Sequence, residues 1–150
     1  MNNYRIRPKG NYIQEASWHE LYFLTKKWKE DVEFQKKDIK FIIDLVETYF
    51  AKLLMYKNLE ELHETQVGLL HLYNECTSSL LHIHLHLSCL SNLIEDPNSY
   101  DAYIFRNEQE QLEDKISVLI KNIKRTRKDA FALTTDVVKN ENPKIFWRYN

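Results

Sequence analysis

Apolar side chains return at alternating steps of three and four through three long stretches of this chain, and no proline falls inside any of them. The first stretch reads Trp18, Leu21, Thr25, Trp28, Val32, Gln35, Ile39, Ile42, Val46, Tyr49, Leu53, Tyr56. The second reads Leu59, Leu62, Gln66, Leu69, Tyr73, Cys76, Leu80, Ile83, Leu87, Leu90, Ile94, and the third Phe105, Gln109, Leu112, Ile116, Leu119, Ile123, Thr126, Ala130, Leu133, Val137. Such a repeat keeps one stripe of a helix facing a partner, as in coiled-coil packing. A proline inside would cost about 3 kcal/mol. Pro8, Pro97 and Pro143 instead fall in an N-terminal tail, a mid-chain turn and a C-terminal tail. Two glycines in 150 residues leave little material for the tight turns of β or α/β folds.

The spacing therefore predicts an all-α fold, an antiparallel up-down-up bundle of three long coiled-coil-like helices in one domain. The expected boundaries are tail 1–16, helix 17–57, helix 58–95, helix 98–140 and tail 141–150. Asn58 with Glu61 reads as a capping signal for the second helix. Asp96-Pro97-Asn98-Ser99 reads as its end and the start of the third, with Pro97 tolerated in a first turn. Leu81-His82-Ile83-His84-Leu85-His86-Leu87 alternates like a strand, but it lies within the unbroken repeat and is expected to be helical. Gly68, on the outer face of this register, should weaken the second helix slightly.

The spacing Trp18-His19-Glu20-Leu21 with Trp28-x-x-Asp31-x-x-Phe34 resembles small uncharacterised bacterial helical coiled-coil proteins that open with a Trp-rich segment. The resemblance covers mainly the first helix and implies no activity, cofactor or partner. Packing explains Trp18 and Trp28 equally well, since both fall on the seam.

A formal net charge of −1 argues against wholesale binding to nucleic acid or an anionic membrane. No apolar run approaches the length that spans a bilayer, and residues 1–12 lack the apolar centre of a signal peptide. Cys76 and Cys89, thirteen residues apart on one helix, would lie about 20 Å from each other, too far to bridge. Free thiols suit a reducing compartment, and the cytoplasm is the expected location.

Candidate chemistry is sparse. His82 and His86 are four apart and Cys89 follows three later, so all three project from one arc of a helix. Imidazole and thiolate are good ligands for zinc, copper or nickel, which makes these three the candidate divalent-metal site. The plainer reading is a solvated histidine face beside a small semi-buried cysteine. Glu60-Glu61-Leu62-His63 matches half of a di-iron carboxylate motif, but no second copy exists and only three helices are available. Lys121, Lys124, Arg125 and Lys128 share a face of the third helix and form a basic patch, with Arg127 beside it. Acid precedes base along that helix, as its dipole favours, so an internally paired, solvated face is preferred over nucleic-acid binding. Polar residues within the seams can fix register. Counting outward from the turns sets Tyr49, Gln66 and Thr126 at one height, where a hydrogen-bonded layer is expected.

Apolar residues also exceed what the seams need. Phe41, Ile43, Leu45, Phe50 and Leu54 on the first helix, Leu70 and Leu72 on the second, and Leu81 and Leu85 beyond its seam suggest a further partner. In the C-terminal tail Phe146 and Trp147, with Ile145 and Tyr149, either pack on the bundle end or serve as a peptide for another protein. The expected function is a non-enzymatic interaction or scaffold module, with a homodimer as one form. Neither a small-molecule substrate nor a resident cofactor is evident. The interface candidates are Leu81, Leu85, Phe146 and Trp147.

Overall fold

The structure is a computed structural model, and it describes residues 10–141 apart from the side chains at 136 and 138–141. Helix is the only regular secondary structure among the described residues, with no strand. Helix α1 spans Tyr12–Glu15, α2 Trp18–Thr48, α3 Phe50–Leu53, α4 Leu59–Glu95 and α5 Ala102–Glu141. Five helices stand where three were expected, because one extra turn precedes the first long helix and its last turns are set off as α3. The segment 81–87 is helical throughout.

Local chemistry fixes most boundaries. Ser17 and Glu20 form a reciprocal capping box at the start of α2: the Glu20 N–H donates to Ser17 Oγ at 3.1 Å, and the Ser17 N–H to Glu20 Oε1 at 2.8 Å. Asn58 Oδ1 accepts the Glu61 N–H at 2.7 Å and starts α4. The α4–α5 turn departs from expectation, since α5 begins at Ala102 rather than near Asn98. Asp96 folds the intervening residues into a turn by accepting the Asn98 N–H on its carboxylate and the Ser99 N–H on its carbonyl. Asp101 Oδ1 then accepts the Ile104 N–H at 2.9 Å and caps α5. The expected run 17–57 is interrupted at Tyr49 (φ −103°, ψ 14°), a position that neither glycine nor proline marks.

The seams supply most of the core. Leu21, Trp28, Val32, Ile39, Leu62, Leu69, Ile83, Leu90, Phe105, Ile116 and Ile123 are all buried. Truncating one of these leucines to alanine typically costs about 2–5 kcal/mol, since the cavity left behind collapses only in part. Two positions beside the α3–α4 connection depart from the register, with Tyr56 69 % and Leu59 61 % exposed. Two residues read as surplus, Leu45 and Leu72, are buried, so the core is wider than a two-position stripe. Helices α2, α4 and α5 all touch one another, most extensively α2 with α4, while α1 and α3 both lean on α5. No described helix is long and apolar enough to cross a membrane.

Candidate functional site

Two of the polar residues that break the seams, Thr25 and Gln109, meet at one level, though not the level expected. Thr25 of α2 and Gln109 of α5 are fully buried. The Thr25 hydroxyl donates to the Leu21 carbonyl at 2.7 Å, as a helical threonine can. Its oxygen accepts the Gln109 Nε2–H at 2.6 Å, which turns Gln109 Oε1 toward His86 Nδ1, 2.7 Å away. With its hydroxyl proton and the Gln109 amide thus committed, Gln109 Oε1 is the acceptor and His86 Nδ1 carries the proton. The relay links all three long helices. Among the described residues no hydrogen bond joins Tyr49, Gln66 and Thr126, all of which are half-buried. Gln35, the remaining polar seam residue, keeps Oε1 buried with no hydrogen-bond partner.

His86 is half-buried rather than solvated, tilted against the buried Phe105 ring at 5.3 Å between centroids. Trp18 and Tyr100 meet the same ring edge-on at 5.9 and 6.4 Å. Burial pulls the His86 imidazole below its ordinary value, against the opposing pull of Gln109 and Glu108. Next to the relay a cleft of about 370 Å³ opens between α4 and α5, lined by His82, Leu85, His86, Cys89, Tyr100 and Glu108 among others. Within it the Tyr100 phenol donates to Glu108 Oε1 at 3.1 Å, which holds the phenol above its ordinary value. The Cys89 thiol is also pushed up, by burial and then by Glu108.

The structure thus brings His82, His86 and Cys89 to one cleft, as their spacing requires. Among the described residues, no three His, Cys, Asp or Glu side chains gather into a metal centre. Lys121, Lys124, Arg125 and Lys128 are exposed, while Arg127 pairs across the interface with Asp38 of α2. Leu81 and Leu85 are 59 % and 56 % exposed. Phe146 and Trp147 lie outside the described residues.

Sequence reasoning missed the relay. Thr25 and Gln109 were both visible as polar breaks, but pairing them with His86 needs the rotation of α4 about its own axis, which a seven-residue register fixes only coarsely. It also missed Arg106, whose Nη1 donates to the carbonyls of Ile13 (2.7 Å) and Ala16 (2.8 Å) while its guanidinium stacks 4.2 Å over the Trp18 ring. Comparison of the chain with protein-family models, curated proteins and solved structures finds no match.

Proposed function

We propose that this chain is a non-enzymatic protein-interaction module, an up-down-up bundle of three coiled-coil-like helices that offers the outer face of α4 to another protein. A second copy of the chain is the simplest occupant. The observation that carries this reading is one row of side chains. Leu59, Val67, Leu70, Leu81 and Leu85 are each between 53 % and 61 % exposed. At 100° per residue they fall within an arc of about 80°, and they extend along about 39 Å of helix. Isolated exposed leucines are ordinary, but apolar side chains that recur on one helix face, here in two groups separated by Asn74 and Thr77, are what partner helices cover.

The up-down-up reading is supported by cross-helix pairs. Trp18 with Phe105, Thr25 with Gln109 and Asp38 with Arg127 rise together along α2 and α5. Along α4 the order reverses, with His86 at the level of Thr25 and Tyr73 at the level of Lys36. The Cys89 thiol is held above its ordinary value, opposite to an activated nucleophile. The free thiols Cys76 and Cys89 fit a reducing compartment such as the cytoplasm.

Sedimentation equilibrium tests the self-association. The wild type is expected to be dimeric, and the double variant Leu81→Asp, Leu85→Asp monomeric with unchanged helical circular dichroism. A wild type that stays monomeric at the highest concentration reached removes the second copy as occupant.

A further inference from the structure

His82 and His86 stand four residues apart on α4 and line the same cleft. Side chains at this spacing have Cβ atoms about 5–6 Å apart, within the reach of two imidazoles for one ion. His86 is already fixed for such a role. Its Nδ1–H is given to Gln109 Oε1, and Gln109 is itself held by Thr25, so the Nε2 lone pair lies outside the relay. Ligating histidines characteristically donate their second ring N–H in this way, which fixes the tautomer and the ring plane.

We propose that His82 and His86 form a two-histidine chelate for a divalent transition ion of the zinc, copper and nickel group, with water completing its coordination. Imidazole nitrogen suits these ions. The site is narrower than the three-residue set suggested by spacing alone and agrees with the lack of any three-ligand cluster among the described residues. Cys89 is left out of the set, because with the two histidines it forms no three-group cluster among the described residues. Glu108 is engaged by the Tyr100 phenol across the cleft. His84 lies about 200° around the helix from either partner and takes no part.

Titration calorimetry of zinc into the metal-free full chain tests the proposal. One site of micromolar affinity is expected, weakened roughly tenfold or more by His82→Ala or His86→Ala and unchanged by His84→Ala. Gln109→Leu is expected to weaken binding about tenfold without removing either ligand, as loss of a supporting partner does. Because that variant also disturbs the core, the wild type loaded with copper provides a second reading, in which the electron paramagnetic resonance spectrum should show two imidazole nitrogens. Millimolar affinity, insensitivity to His82→Ala, or a single nitrogen in the spectrum would overturn the chelate. A loss on Cys89→Ser as large as that on His86→Ala would do the same, in favour of a thiolate site.

Discussion

Two residues show how a core treats polar groups. His86 keeps its place by giving one ring proton to Gln109, and burial lowers its affinity for a second. The folded pKa therefore lies below the unfolded value of about 6.5, and below that pH the unfolded chain binds more protons than the native one. Stability should accordingly be fully present above pH 6.5 and fall as the solution is acidified through it. Thermal melts between neutral and mildly acidic pH check this, with His86→Asn expected to flatten the dependence and an unaltered slope counting against it. Cys76 offers a contrast, since burial pushes its thiol up to about 11. In the native protein a thiol reagent at neutral pH should modify the half-buried Cys89 well before Cys76, read by mass spectrometry of the digested protein. Equal labelling would mean that the core opens as readily as the cleft.

Among the elements, α4 carries the most contradictory sequence. Its strand-like alternation at 81–87 yields to the helix because Ile83 and Leu87 both reach the core, whereas His82 and Leu85 face outward. Gly68 sits in mid-helix, and a Cβ added there meets nothing within 4 Å. Gly68→Ala should therefore stabilise the protein by about 0.5–1 kcal/mol, by restricting the unfolded backbone and improving helix propensity at no steric cost. Urea denaturation monitored by circular dichroism would show the midpoint rise; a fall would mean that the methyl group meets something the rigid backbone hides. The first helix was less legible. Its capping box lies at Ser17 and Glu20, but the break at Tyr49 has no glycine or proline to announce it. Beyond that break Leu53 is buried, and α3 leans on α5.

Across the whole molecule, α1 is tied on through α5. Arg106 satisfies two carbonyls, of Ile13 and of Ala16 just past the end of α1, and Gln14 Nε2 donates to Asn107 Oδ1 at 3.1 Å. A four-residue helix has no stability of its own, so these bonds and the burial of Ile13 must hold it. Arg106→Leu is expected to release α1 selectively. Amide hydrogen exchange should quicken at residues 13–16 and stay slow in the middle of α2. Acceleration throughout the bundle would show that Arg106 supports the core rather than the latch.

The sequence by itself determined that the described residues build a helical fold, where two of the three long helices begin, and most of the residues that form the core, because a repeat of three and four has only one way to hide its stripe. The tertiary structure decided which polar breaks meet. Thr25, Gln109 and His86 come together through the relative rotation and axial offset of three helices. Both depend on how side-chain volumes interlock across the interfaces, and a periodicity read along one chain carries no record of that.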